Sequence, residues 1–378
     1  MLPLSLYIHI PWCLRKCPYC DFNSHLSPGI LPENRYVDAL VADLKQDLEW
    51  MPARPIHSIF IGGGTPSLFS AAAFESLFYK IQALLPFAPH IEITLEANPG
   101  TVEQQRFTEY RALGINRLSL GIQSFNDLHL KRLGRIHDAS EAHRAIDSAR
   151  GAGFDNLNLD LMHGLPEQSI QQGLDDLNMA MTHQPEHLSW YQLTLEPNTV
   201  FYKTQPLLPC EDELDQLEQE GFTLLAEKGF QRYEISAFHQ ANLPSRHNLN
   251  YWLFGDYLGI GAGAHGKGTD PLQKVIYRTR KQRQPNDYLN PSKPALVEKK
   301  IIDPSSLIFE FMLNTTRLQQ PIPNTLFTER TARPFDELAP FLLKAQTKGL
   351  ITLQPTHWQV TPFGRQFTND LQAIFLPD

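Results

Sequence analysis

The chain has 378 residues, with 33 lysines and arginines against 41 aspartates and glutamates, giving a formal net charge of −8 at pH 7. This acidic balance argues against a general nucleic-acid-binding surface, and a hydrophobic content of 42% argues against a mainly disordered chain. The 4 cysteines are too few for a disulfide scaffold, and no run approaches the ~18 apolar residues that span a bilayer.

Short apolar runs alternate with longer amphipathic runs over the first 200 residues, beginning near the N-terminus. Six consecutive strand–helix units of this kind indicate a parallel α/β sheet, either open or closed into a barrel. The predicted strands are 4–10, 56–61, 91–97, 117–122, 156–162 and 187–195, and the predicted helices are 35–50, 71–85, 102–113, 140–152 and 169–182.

Polar residues and glycines gather where these predicted strands end. Cysteines follow the first strand, glycines follow the second, and Glu96, Gln123 and Asp160 lie at or near the ends of later strands. Ligands of α/β sheets bind at the carboxyl ends of strands, so the pattern predicts one large site on that face. Each cluster alone is equally consistent with ordinary turn residues.

The remainder of the chain divides less clearly. A predicted helix over 211–228 precedes a glycine-rich run at 255–268, and the polar, basic segment 277–299 is interpreted as a linker or an extended surface loop. The last 80 residues or so read as a helical, winged-helix-like domain. They lack a recognition helix dense in Arg and Lys, so we expect no nucleic-acid partner. The predicted domains are 1–200, 201–298 and 299–378.

Cys13, Cys17 and Cys20 form the spacing C-x3-C-x2-C directly after the first predicted strand. A structural zinc ion usually takes four ligands from two separated pairs, and this chain has no second pair. Three thiolates on an iron–sulfur cubane leave one iron able to bind a small molecule directly. Cys210, far away in an acidic context, is interpreted as incidental.

This spacing closely resembles the radical S-adenosylmethionine (SAM) superfamily, and the run Gly62–Pro66 resembles the glycine motif of that superfamily. The resemblance implies a partial (β/α)6 TIM-type barrel, a [4Fe-4S] cluster held by the three cysteines, and bound SAM. Its coproporphyrinogen-oxidase-like branch is the closer match, through Tyr7–Cys13, Glu96–Pro99 and Leu120–Phe125. In that branch the positions that surround SAM correspond to Tyr7, Tyr19, Gly63, Gly64, Thr65, Glu96, Gln123, Arg135 and Asp160.

Two features differ from the oxidase of that branch. Phe22 stands where the oxidase has a further cysteine, and the cluster motif begins at Cys13, which leaves no room for an N-terminal extension. A third feature, H-N-x-x-Y-W from His247 to Trp252, resembles the signature of the haem chaperones of this superfamily. Histidine is a good axial ligand for haem iron, which makes His247 the predicted haem ligand. The same run could form only a turn and a capped helix start, and His239 and His265 are rival ligands.

The sequence therefore predicts a haem chaperone on a radical SAM scaffold, which binds haem b and passes it to acceptor haemoproteins such as those of a respiratory chain. The resemblance also implies that the cluster influences homodimerisation. The competing hypothesis is an enzyme that decarboxylates coproporphyrinogen III without oxygen, an activity that Phe22 leads us not to expect. The first residues lack the features of a signal peptide, so we expect a cytoplasmic location and leave peripheral membrane contact open.

Overall fold

A 12-stranded sheet forms the main body of the computed structural model, which describes residues 2–100, 104–240, 242–270 and 272–377. The strands of the chain, in sequence order, are β1 (Leu4–Ile10), β2 (Trp12–Cys13), β3 (His25–Leu26), β4 (Ile56–Gly63), β5 (Phe87–Ala97), β6 (Arg117–Gln123), β7 (Leu157–His163), β8 (His187–Gln192), β9 (Gln231–Arg232), β10 (Ala237–His239), β11 (Asp256–Ile260), β12 (His265–Asp270), β13 (Val275–Lys281), β14 (Leu296–Ile301), β15 (Ile322–Pro323), β16 (Ile351–Leu353) and β17 (His357–Val360). The hydrogen-bonded order in the main sheet is β14-β13-β12-β11-β1-β4-β5-β6-β7-β8-β10-β9.

Strands β1, β4, β5, β6, β7 and β8 pair in parallel in that order and form the predicted barrel wall. Most of their residues are buried although polar and apolar residues alternate along them, because helices cover one face of the sheet and the barrel interior lies on the other. Within the described ranges the edge strands β14 and β9 do not pair with each other, so the sheet stays open. The predicted partial (β/α)6 barrel is therefore confirmed.

Three of the helices that return the chain between parallel strands begin at side-chain caps. Ser70, Asp138 and Ser169 each accept a hydrogen bond from the backbone N–H three residues later, which satisfies a free donor of the first turn. The helices are α1 (Glu33–Asp47), α2 (Ala71–Gln82), α3 (Gln104–Ala112), α4 (Asp127–Arg132), α5 (Ala139–Gly151), α6 (Ile170–Thr182), α7 (Val200–Thr204), α8 (Glu211–Glu227), α9 (Arg246–Trp252), α10 (Pro285–Tyr288), α11 (Leu307–Thr315), α12 (Thr325–Thr331), α13 (Ala339–Thr347), α14 (Pro362–Gln366) and α15 (Thr368–Ala373).

The predicted start of the third helix, at residues 102 and 103, lies outside the described residues. Elsewhere in the barrel, the predicted elements agree with the observed ones to within a few residues at most ends. The short helix α4 was not predicted; it begins at Asp127, and the side chain of the preceding Asn126 caps its first turn.

One prediction about the middle of the chain is wrong, and one feature there was not predicted. Most of the glycine-rich run 255–268 is strand, in β11 and β12, and β11 adds a further parallel strand beside β1. The segment 277–299 is not a linker at its two ends, because β13 and β14 pair with each other at the edge of the main sheet. Alternating burial and a buried ion pair at Lys281 explain how so polar a sequence belongs to the sheet.

The C-terminal region has its own core and a three-stranded sheet in the order β15-β17-β16, flanked by helices α11 to α15. Phe311, Leu342 and Trp358 are fully buried in this core, which Phe254 and Ile276 join from the preceding segment. This arrangement confirms the predicted helical, winged-helix-like domain. The exact domain boundaries stay a prediction. In the part of the chain that the structure describes, no helix is both long and apolar enough to cross a membrane.

Candidate cofactor site

The cysteine loop leaves the barrel directly after β1. The parallel pair of β2 and β3 joins the two ends of this loop. The ammonium of Lys16 donates to the carbonyl of Ser24 at 3.3 Å and so links the two halves of the loop. The thiols of Cys13, Cys17 and Cys20 are half-buried, and none forms a disulfide. Burial raises the pKa of the Cys13 and Cys20 thiols, so the thiolate form needs a neighbouring positive charge such as iron.

All three cysteines line one cavity of about 440 Å³ at the carboxyl ends of the barrel strands. The topology explains this convergence, because successive parallel strands bring their ends to the same rim. Of the predicted SAM residues, the structure places Tyr19, Gly63, Gly64, Thr65, Glu96, Gln123, Arg135 and Asp160 on this cavity. Tyr7 lines an adjoining cavity that shares Gly63 and Glu96 with the first.

Gly63 and Gly64 occupy positions where a side chain would collide with residues of β1 and β2, the strands that lead into the cysteine loop. The backbone of Gly63 has a φ of 118°, and a Cβ there would lie 2.6 Å from the ring of His9. A Cβ on Gly64 would lie 2.6 Å from the carbonyl oxygen of Trp12. The glycines therefore let β4 approach the base of the cysteine loop, where Thr65 donates its N–H to the same Trp12 carbonyl at 2.8 Å.

Glu96 and Asp160 are half-buried carboxyl groups that form no salt bridge within the described ranges, although the charge of Arg117 acts on Asp160. Burial, reinforced by the charge of Asp160, raises the pKa of Glu96 to about 8, although the Gly63 N–H donates to it at 3.1 Å. Burial also raises the pKa of Asp160, which accepts from Ser119 at 2.9 Å and from Asn158 at 2.8 Å. Two such carboxyls on one cavity suit a ligand that carries positive charge and hydroxyl groups.

Arg135 brings a positive charge beside the cysteines. Its Nη1 lies 3.6 Å from the sulfur of Cys17, and its Nη2 donates to the Asn98 side chain at 2.6 Å and to the Gly121 carbonyl at 2.7 Å. The Nε–H of Arg135 is buried without a hydrogen-bond partner among the described residues. Arg135 lines the cofactor cavity, and a guanidinium there suits a ligand carboxylate.

The donor set fits an iron–sulfur cluster better than a single metal ion. No three His, Cys, Asp or Glu side chains in the described ranges are arranged to hold one ion. In a cubane each thiolate binds a different iron, so thiols spread around a cavity rim are the expected arrangement. Their partial burial, the absence of disulfides and the adjacent Arg135 agree with an anionic cluster at this place.

The structure adds residues that the sequence did not single out. Tyr191, on β8, lines the same cavity and donates its hydroxyl hydrogen to Gln123 at 2.8 Å, and Ser236 and Asn98 also line it. Tyr191 could have been found from its place near the end of a predicted strand. Ser236 could not, because it precedes a strand that pairs antiparallel to β8.

The predicted haem ligand lies in a different environment. His247 is buried on α9, and both nitrogens of its ring have partners: Ser58 Oγ at 3.0 Å from Nδ1 and Tyr251 OH at 2.9 Å from Nε2. Burial lowers the pKa of His247 to about 3, so the ring is neutral. Ser245 caps α9 by accepting from Asn248 N–H at 3.3 Å, as the capped-helix alternative predicted. Haem ligation by His247 stays a prediction.

A partial barrel with three cysteines at its strand ends defines the class of protein, and sequence comparison agrees with it. The family model of the Radical SAM superfamily matches residues 7–180, and that of the HemN C-terminal domain matches residues 302–367. Coproporphyrinogen III oxidase (HemN) from Escherichia coli has a similar structure, with a TM-score of 0.82 at 23% identity, over 99% of this chain and 90% of that chain.

Full-length relatives narrow the class to a family. The chain is 47% identical to the heme chaperone HemW of Escherichia coli over 100% of this chain and 99% of the relative. It is 33% identical to the heme chaperone HemW of Bacillus subtilis over 98% of this chain and 99% of the relative. The chain belongs to the HemW family of the radical SAM superfamily.

Proposed function

We propose that this protein is a haem chaperone that carries a [4Fe-4S] cluster and SAM, binds haem b and transfers it to acceptor haemoproteins. The observation that carries the cofactor part is one cavity lined by three free thiols, by the half-buried carboxyls of Glu96 and Asp160, and by the guanidinium of Arg135. The haem part is supported by full-length identity to relatives named heme chaperones.

In this proposal Cys13, Cys17 and Cys20 hold the cluster, which would supply an electron to SAM bound at its open iron. Glu96 and Asp160 take the positive and hydroxyl groups of SAM, and Arg135 pairs with its carboxylate. The backbones of Gly63 and Gly64 approach the ligand closely, because neither carries a side chain. Tyr19, Thr65 and Gln123 complete the walls of the cofactor cavity, and Tyr7 lines the cavity that adjoins it.

A haem ligand at His247 requires a conformational change in this proposal. The Nε2 atom must leave Tyr251, or the Nδ1 atom must leave Ser58, before either can bind iron. Such a change offers a way to couple haem binding to the cluster, because Tyr251 lines the cavity that adjoins the cluster cavity. Cluster-dependent homodimerisation, a respiratory acceptor and peripheral membrane contact remain parts of the same proposal.

Hemin titration of the anaerobically cluster-reconstituted protein tests the chaperone function. We expect a saturable change in Soret absorbance near one hemin per chain, followed by transfer of that hemin to an added apo-haemoprotein. The acceptor spectrum should appear faster than it does with a non-specific hemin-binding protein as the donor. Absence of saturable binding would reject the chaperone function.

Oxidation of coproporphyrinogen III is the second candidate function, because the fold matches that of the E. coli oxidase along nearly the whole chain. Phe22, which lines the cofactor cavity and is 62% exposed, stands where the oxygen-independent oxidase is expected to have a further cysteine. We expect no anaerobic turnover of coproporphyrinogen III by protein that holds its cluster, SAM and a reductant. Turnover would establish the enzyme instead.

A further inference from the structure

A second cavity, of about 540 Å³, adjoins the cofactor cavity and shares Phe22, Gly63 and Glu96 with it. Its volume lies within the range of small-molecule sites. The tyrosines on its wall are Tyr7, Tyr251 and Tyr257, and the rings of the last two meet edge to face with centroids 4.4 Å apart. An aromatic wall of this kind suits a flat, largely apolar ligand.

The same cavity contains a histidine whose ring nitrogens, unlike those of His247, have no hydrogen-bond partner among the described residues. His265, at the start of β12, is exposed, and its ring has no hydrogen-bond partner within the described part of the chain. Burial and the charges of Arg280 and Arg278 lower the pKa of His265, which keeps a lone pair available at neutral pH. His265 is therefore ready to bind iron without a rearrangement.

Two guanidinium groups accompany this histidine. Arg280 lies directly opposite His265 in the pairing of β12 with β13. Its partner Glu298, at 3.1 Å, is a half-exposed surface carboxylate, and such surface pairs contribute little to stability, so Arg280 can exchange it for another carboxylate. Arg283 donates its Nε–H to Asn23 at 3.2 Å and also lines the cavity. Arginine pairs well with carboxylates, so these two suit a ligand with two carboxylate arms.

The acidic groups of the cavity do not cancel this positive charge. The pKa of Glu96 is about 8, which leaves it mostly protonated at neutral pH. Asp21 is the remaining acid among the lining residues, and it is exposed at the rim. The Lys281 ammonium is already paired with Asp43 and Asp47. The cavity therefore combines a flat apolar wall, a free imidazole and two available cations.

We propose that this second cavity is the haem-binding site, with His265 as the axial ligand of the iron and Arg280 and Arg283 as partners of the two propionates. The inference rests on the proposed chaperone function and specifies where in the molecule that function takes place. It places haem beside the cofactor cavity, with Phe22 between them, and leaves His247 behind the Tyr251 wall.

Hemin titration of four histidine variants of the full-length, cluster-reconstituted protein tests this assignment: His265→Ala, His265→Gly, His57→Ala and His247→Ala. We expect His265→Ala to shift the Soret maximum and to weaken hemin binding about tenfold or more. His57→Ala removes an exposed histidine near the start of β4, at the opposite end of the barrel, and should match the unmodified protein. Added imidazole should restore the spectrum of His265→Gly, which a merely structural role would not allow.

The outcomes separate this inference from the function on which it rests. Unchanged hemin binding in His265→Ala, together with loss in His247→Ala, would overturn the His265 assignment and leave the chaperone function standing. No saturable hemin binding by the unmodified protein would reject both. We expect the Soret spectrum of histidine-ligated hemin to be lost in His265→Ala and to be kept in His247→Ala and His57→Ala.

Hemin dimethyl ester tests the arginines separately. Esterification removes the charge of both propionates, so we expect the ester to bind the unmodified protein less tightly than hemin does. Arg280→Ala should weaken hemin binding. It should change the binding of the ester little, because the ester already lacks the propionate charge that Arg280 would pair with. The exposed Arg144, on α5, gives a matched Arg144→Ala control. If the affinity lost through Arg280→Ala and the affinity lost through esterification added up fully, Arg280 would not be a propionate partner.

Discussion

The ring of His247 and the hydroxyl of Tyr251 lie 2.9 Å apart, one turn from each other on α9. This hydrogen bond, together with the one between His247 and Ser58, holds the imidazole in a buried position against the ring of Phe60, whose centroid is 5.2 Å away. The histidine of the H-N-x-x-Y-W run therefore fixes α9 against the barrel in this conformation. Its role in haem binding depends on whether this contact opens.

Tyr251→Phe tests the energetic weight of that contact. The substitution leaves the Nε2 atom of a buried imidazole without its partner, which typically costs about 1–3 kcal/mol. We expect a loss of this size in the free energy of unfolding measured by urea denaturation. Tyr79, which is 77% exposed, provides the control, since Tyr79→Phe should change stability by less than about 0.5 kcal/mol. Equal effects would show that the contact contributes nothing.

The buried His247 also predicts a pH dependence of stability. Its pKa in the folded protein is about 3, against 6.5 in the unfolded chain, because burial disfavours the charged ring. Below pH 6.5 the unfolded chain binds a proton that the folded protein does not, so stability falls as pH falls toward 3. In urea denaturation at a series of pH values, we expect the slope of the unfolding free energy against pH to be smaller in His247→Gln by the equivalent of one proton. An unchanged slope would contradict the low pKa of His247.

The cysteine assignment predicts different results for four similar substitutions. Cys13→Ser, Cys17→Ser and Cys20→Ser each remove a thiolate from the proposed cluster, and we expect iron content after anaerobic reconstitution to fall sharply. Cys210 is exposed at the start of α8, away from the cofactor cavity, so Cys210→Ser should keep the full iron content. Loss of iron in Cys210→Ser would mean that the fourth cysteine is a ligand.

Glu96 predicts a proton released on SAM binding. With a pKa of about 8, its carboxyl is mostly protonated at pH 7, and pairing with a positive group of SAM should remove that proton. Calorimetry in buffers of different ionisation enthalpy should report close to one proton released at pH 7 and fewer above pH 8. Glu96→Gln should release none, and proton release that persists in this variant would assign it elsewhere.

The sequence predicted the barrel and the place of its site because both depend on local patterns. Apolar runs define the parallel strands, and their topology gathers Cys13, Gly63 and Glu96 at one rim. The burial of His247 could not be predicted, because it depends on Ser58, which is 189 residues away along the chain. The outer strands were missed for a related reason: the partner that makes a polar residue buriable lies far away in sequence.

Lys281 is the clearest example of this, and it gives the last prediction. In the sequence it appears in a polar, basic segment, yet in the structure its ammonium is fully buried, paired with Asp43 and, at 2.7 Å, with Asp47. Burial raises the pKa of Asp47 to about 6, so the carboxylates depend on that ammonium. The pair joins β13 to α1 and so attaches the outer sheet to the barrel.

Lys281→Ala would leave two buried carboxylates without their cation, which typically costs about 3–5 kcal/mol. We expect a loss of this size in urea denaturation, with the outer sheet losing amide-exchange protection first. Lys293 pairs with Asp287 at 2.7 Å on the surface, so Lys293→Ala should cost less than about 1 kcal/mol. If both variants lost the same stability, the buried lysine would not hold the outer sheet, and the second cavity, which Lys281 also lines, would have to be stabilised by other contacts.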